Sequence, residues 1–143
     1  MAPGKVVYKI CKRSDWLEAE GAGSLAGSAG DRRDGFIHLS TGAQIAETVA
    51  KHFGGEDDLM ILGVDANKIA SGLKWERSRG GALFPHLYAP LGIEAVVWAR
   101  PLPLGQHGRH QLLRTRLIAL LKRLLCFFNF HPRLQLGGIR RTG

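Results

Sequence analysis

Asp34-Gly35-Phe36-Ile37-His38-Leu39-Ser40-Thr41 is the stretch from which the fold can be read. An Asp-Gly turn leads into a short β-prone run over 36–39, and a helical pattern starts directly behind it. Ile45, Val49 and Phe53, with Ala46, recur at helical spacing. Thr41-x-x-Gln44 reads as a capping box at the start of that helix, and Gly54-Gly55 ends it. A strand that feeds straight into a helix places His38, Ser40 and Thr41 at a sheet edge. The free N–H groups of the helix start lie beside them, where anionic ligands bind.

Outward from this stretch the chain alternates. Residues 6–10 are β-rich and predict a first strand, and Ser14 is positioned to cap a short helix through about residue 20. The small-residue run 21–30 reads as a loop, a lid or a plain connection. Residues 59–64 form an apolar run of the buried-strand type, 73–76 a short strand, and 93–99 a last strand that closes the sheet. Strand, helix, strand, helix and then several strands predict an α+β fold with a mainly antiparallel sheet, not a doubly wound one.

With 143 residues the chain predicts one such domain over 5–105, followed by a basic amphipathic extension over 106–143. The net charge of +8 is unevenly placed. Residues 1–106 hold twelve basic and twelve acidic residues, whereas 107–143 hold eight basic residues and no acid. The body therefore carries no electrostatic footprint of a nucleic-acid binder, and only the tail does. Within the tail, Leu113, Leu117, Leu120, Leu121, Leu124 and Phe128 share one broad helical face over 111–130. Such a basic amphipathic helix reads as an anchor on a membrane surface or on RNA, or else as an unselected C-terminus. Truncation after Gly108 is then expected to abolish liposome or RNA binding while the body stays folded; an unfolded truncate would overturn the anchor. Residues 1–5 have no apolar run behind them, no stretch is long and apolar enough to span a bilayer, and two cysteines, Cys11 and Cys126, make no disulfide framework. Together these predict a cytoplasmic protein.

Chemistry is expected from two clusters. His38 carries an imidazole suited to general acid/base work or to phosphate binding, or it is a strand histidine tied to a backbone carbonyl. Ser40 and Thr41 offer hydroxyls to a phosphate, or Thr41 simply caps the helix. The second cluster is Phe84-Pro85-His86-Leu87-Tyr88. Pro85 fixes φ and restricts Phe84, which suits a rigid loop presenting His86 and Tyr88, or a corner tied down by the Tyr88 hydroxyl. Trp75 and Glu76 pair an aromatic platform with a carboxylate for ribose hydroxyls, or else alternate with Trp75 inward and Glu76 in solvent. Lys74 and Arg79 are cations for a phosphate. Tyr8 and Lys9 alternate on the first strand, so only one of them is expected to face a cleft. His38, His86 and Glu76 are metal-ligand types without metal-ligand spacing, so no metal site is expected. Lys12 and Arg13 beside Cys11 would lower a thiol pKa, yet no nucleophile motif accompanies them. Neither G-x-G-x-x-G nor G-K-[ST] occurs in 21–30, which excludes a Rossmann or Walker phosphate loop.

From residue 7 to about residue 103 the chain resembles the family known as domain of unknown function 952. The resemblance is carried by Tyr8-Lys9-Ile10, Trp16, the 34–41 stretch, Val64-Asp65, Leu73-Lys74-Trp75-Glu76 and Phe84-Pro85-His86-Leu87-Tyr88-x-Pro90-Leu91. That family is in turn similar to the ADP-ribosyltransferase and RNA 2′-phosphotransferase fold. The similarity implies a split, mainly antiparallel sheet clasping NAD or an ADP-ribose-like group. It also implies a first-strand anchor, which falls here on Lys9 where the superfamily places His or Arg. A second anchor before a helix falls on His38, Ser40 and Thr41. No glutamate falls clearly at the later acidic position; His86 and Tyr88 lie in that region. The implied function is a transferase-like enzyme handling a nucleotide or ADP-ribose, with His38, Glu76, His86 and Tyr88 catalytic and Lys9, Ser40, Thr41, Lys74, Trp75 and Arg79 binding ligand. The alternative is a binding module that kept the pocket and lost the acid. NAD is the cofactor the resemblance suggests, and the sequence leaves substrate and oligomeric state open.

Overall fold

The computed structural model of the chain describes residues 5–112. Along that stretch run β1 (Val6–Lys12), α1 (Arg13–Ala22), β2 (Ser24–Leu25), α2 (Ala29–Asp34), β3 (Ile37–His38) and α3 (Ile45–His52). β4 (Leu59–Asp65), β5 (Leu73–Arg77), β6 (Leu83–Leu87), β7 (Leu91–Gly92) and β8 (Val96–Leu102) follow. The strands form three groups, β1-β4-β8, β3-β6-β5 and β2-β7, and every pairing is antiparallel. The class is α+β, as the order of elements predicts. The amphipathic helix expected in the tail lies outside the described residues.

β4 is the centre of the first sheet, and its six residues from Leu59 to Val64 are all buried. A strand covered on both faces needs no polar alternation, which is why this one reads as a continuous apolar run. Side chains of β1 alternate between two cores. Val7 and Cys11 join Leu62, Val64 and, from α1, Trp16 and Ala19. Ile10 joins Leu59, Ile61, Leu102 and, from α3, Ile45 and Val49. Fully burying each large aliphatic side chain contributes about 1.5–3 kcal/mol, so these two layers carry the fold. No helix among the described residues is long and apolar enough to cross a membrane.

One bridge ties the first sheet to the second. Tyr8 N donates to Ser40 O at 2.8 Å and Ser40 N donates to Tyr8 O at 2.9 Å. Beyond that pair β1 and β3 diverge, and a cleft of about 310 Å³ opens between them. Because the cleft runs along the edge of β1, Tyr8 and Lys9 both line it. Alternation alone allowed only one of them.

Several local expectations are corrected. Ser14 is inside α1, whose N-cap is Lys12 without a side-chain bond. The 21–30 run is not a loop. Gly23 ends α1 in the left-handed region, β2 follows, and Ser28 caps α2. Composition hid these elements because capping and strand pairing need only a few residues each. Half of the Thr41–Gln44 box forms: Thr41 N donates to Gln44 Oε1 at 3.1 Å, but α3 starts later, at Ile45. Ile93–Ala95 is a 3-10 turn, and the last strand starts at Val96. Cys11 is not activated by its basic neighbours; burial pushes its thiol up to about 12, and nearby Lys9 only partly offsets this.

Candidate functional site

The site is built where β3 meets β6. His38 and His86 are register partners across that pairing, so both imidazoles project from the same face. Their ring centroids are 5.6 Å apart, edge on. Phe36 lies against both rings, stacked on His86 at 4.1 Å and tilted to His38 at 4.6 Å. Gly35, left-handed at φ 85°, ends α2 and turns the chain so that Phe36 can reach them.

Each imidazole is held by a carboxylate. Asp31 Oδ1 lies 2.7 Å from His38 Nδ1, and Glu76 Oε1 lies 3.0 Å from His86 Nδ1. The surroundings of the two acids differ. Asp31 is 3% exposed, and its oxygens accept four hydrogen bonds. Oδ1 takes those of His38 N and Nδ1, while Oδ2 takes Ser28 N at 2.8 Å and Lys9 Nζ at 2.7 Å. Burial pushes the Asp31 carboxyl up, but the His38 bond, the Lys9 charge and the Ser28 N–H together outweigh it. The net effect holds Asp31 well below the usual carboxylate range. An ionised carboxylate only accepts, so His38 Nδ1 is the donor in this contact. A second carboxylate, Asp34, places Oδ2 3.1 Å from His38 Nε2.

Glu76 is 39% exposed at its side chain. It also accepts from the Tyr88 hydroxyl at 2.6 Å. The Tyr88 bond, then the His86 bond, lower the Glu76 pKa, and the same contact raises that of Tyr88. Glu76 therefore accepts from His86 Nδ1 as well.

The expected residues do not all come together. His38, Ser40, His86 and Lys9 line the cleft. Ser40 Oγ pairs with Thr48 Oγ1 at 3.0 Å, and Lys9 is spoken for by Asp31. Glu76 and Tyr88 sit outside the cleft, behind His86, and Lys74 Nζ lies 4.6 Å over the Tyr88 ring. Trp75 is on the opposite face of β5, with Lys5 Nζ 4.5 Å over its ring. The sheet thus turns Glu76 toward His86 and Trp75 outward, the reverse of simple Trp-in alternation. Thr41 spends its N–H on Gln44 and does not line the cleft. Arg79 falls in a 3-10 turn, and its side chain lies outside those described. Asp31, Asp34, Phe36 and Thr48 are not among the expected site residues, although Asp34 and Phe36 belong to the 34–41 stretch. Ser28-x-x-Asp31 is a capping-box pattern, which forms here, and it was a legible signal for Asp31. Among the described residues no three metal-ligating side chains lie close enough to hold a metal ion.

The family described as "Protein of unknown function (DUF952)" matches residues 10–99. The crystal structure of protein CC0527 from Caulobacter crescentus is 47% identical, with a TM-score of 0.74 over 77% of this chain and 96% of that one. A double mutant of CC0527 gives the same values. Its solution NMR structure, also 47% identical, gives a TM-score of 0.69 over 77% of this chain and 95% of that one. No curated protein matches the chain.

Proposed function

We propose, from the premise that this chain belongs to the DUF952 family of proteins of unknown function, that its cleft handles a nucleotide or an ADP-ribose group, with His38 and His86 as an acid/base pair. The observation that carries this reading is the pair of register-matched imidazoles, each tied through Nδ1 to a carboxylate. Carboxylate-held imidazoles keep a fixed tautomer and orientation, which is what proton transfer at a ribose hydroxyl or phosphate ester needs. The cleft size sits at the lower end of small-molecule sites, which span about 300–1,000 Å³. Apolar Ile10, Phe53 and Phe84 line it together with the Ser40 and Thr48 hydroxyls, and Arg33 stands at its edge for a phosphate. An ADP-ribosyltransferase-like split sheet, with NAD as the ligand, belongs to the same reading.

A second reading, a binding module without turnover, is favoured by one observation. Among the described residues no glutamate lines the cleft, where the Lys9 ammonium is already bound by Asp31. Thermal-shift and NMR titrations of the full chain against NAD, ADP-ribose and phosphorylated nucleotides, with His38→Ala alongside, test both. A ligand-dependent shift that the variant loses is expected, by at least about tenfold in Kd if one charge-assisted hydrogen bond is removed. Binding with no product formed selects the module. No shift with any of these ligands overturns the nucleotide reading.

A further inference from the structure

We infer that the two imidazoles have unlike proton traffic: His86 exchanges its Nδ1 proton with bulk water through Glu76, whereas Asp31 locks the Nδ1 proton of His38 in place. The inference rests on the free protein's geometry and holds whether or not a nucleotide binds.

Ring exposure alone points the other way. The His38 side chain is 44% exposed and that of His86 only 7%. The difference lies in the partner carboxylates. Asp31 is sealed, and each of its oxygens already accepts two hydrogen bonds. To take the His38 proton it would have to lose one of these donors and leave the Lys9 ammonium facing a neutral acid. That cost blocks transfer. Glu76 Oε1 also accepts two hydrogen bonds, from His86 Nδ1 and the Tyr88 hydroxyl, but neither donor is a buried ammonium and the Glu76 side chain is 39% exposed, so water reaches it. It stands outside the cleft at the protein surface, bonded to a Tyr88 hydroxyl that is itself exposed. His86 lines the cleft and holds Glu76 through Nδ1.

His38 faces Asp31 and Asp34 from α2, Lys9 from β1 and His86 from β6. Glu76 and Lys74 from β5, with Tyr88 just past β6, surround His86 on its outer side. The step balances without a co-reactant. The ring first gains a proton at Nε2. The His86 Nδ1–H bond then breaks as Glu76 Oε1 takes the Nδ1 proton. Glu76 trades it for a solvent proton that it returns to Nδ1, and Nε2 releases the proton it gained, which restores the resting tautomer. Glu76 is thus a positioning and relay residue that acts through His86, and a cleft closed by ligand keeps a proton path to solvent.

The test is the water-exchange rate of the two imidazole Hδ1 protons in the ¹⁵N-labelled full chain, measured by NMR. The expected result is that His86 Hδ1 exchanges faster than His38 Hδ1, against the order of ring exposure. Glu76→Gln keeps an acceptor oxygen but cannot carry a proton, so it is expected to slow His86 exchange by about tenfold or more. A purely structural role predicts the opposite sign, since a weaker bond would speed exchange. Asp31→Asn is expected to speed His38 exchange; if that variant fails to fold, the wild-type and Glu76→Gln rates decide alone. Faster exchange at His38 in the wild type, or an unchanged or faster His86 rate in Glu76→Gln, overturns the inference.

Discussion

Asp31→Ala is expected to cost about 3–5 kcal/mol of stability, the range for removing one partner of a buried ion pair. Urea denaturation followed by circular dichroism measures it. The loss has three parts. The Lys9 ammonium, 5% exposed, is left buried without its counter-charge. Ser28 N loses its acceptor, which opens the α2 cap. His38 loses both the bond to its backbone N–H and the one to Nδ1. Set against a typical domain stability of about 5–15 kcal/mol, the change decides whether the chain folds. A double variant, Lys9→Met with Asp31→Leu, is expected to be less destabilised than the single one, because an apolar pair leaves no orphan charge. If the double variant is the worse of the two, the orphan-charge account is wrong.

The same residue sets an acid limit. Asp31 titrates below its unfolded value of about 3.9. A depressed folded pKa means that its contribution is fully present above the unfolded value and is lost as pH falls through the folded one. The wild type is therefore expected to weaken progressively below about pH 4, and Asp31→Ala to weaken less over that window. Equal slopes for the two proteins would remove Asp31 as a source of acid sensitivity.

Gly63→Val is the second large effect, expected at about 1–3 kcal/mol or more of overpacking. Gly63 sits in the central strand opposite Trp98, at the point where the β4–β8 register shifts. Its φ is not positive, so backbone freedom does not explain a glycine there. Space does: a Cβ at this position would run into the Trp98 indole. Tyr8, 5.9 Å away ring to ring, limits how far the indole can retreat. Trp98→Ala added to Gly63→Val is expected to recover part of the loss. Strict additivity of the two variants in urea denaturation would show that the indole is not the obstacle.

The chain illustrates where local signals stop. An apolar run identified β4 because a strand buried on both faces needs no pattern beyond hydrophobicity. β1, β5 and the strand character of 36–39 were legible from their β-prone residues, and so were the α+β class and His38 just before a helix; His86, expected on a rigid loop, lies instead on β6. The shape of α2 was legible in part, through Ser28-x-x-Asp31, although the glycines and alanines around it read as a loop. Sequence spacing could not say that Lys9, 22 residues before Asp31, would be buried against it. Nor could it say which of Trp75 and Glu76 would turn toward His86. Those outcomes depend on which strands pair and in what register, and register is fixed by non-local contacts. The sequence by itself determined the α+β class, the main strands and the family. Only the tertiary structure decided that two imidazoles would face one cleft with unlike carboxylates behind them, because antiparallel pairing of β3 with β6 and closure of α2 over Lys9 are what bring those atoms within hydrogen-bond reach.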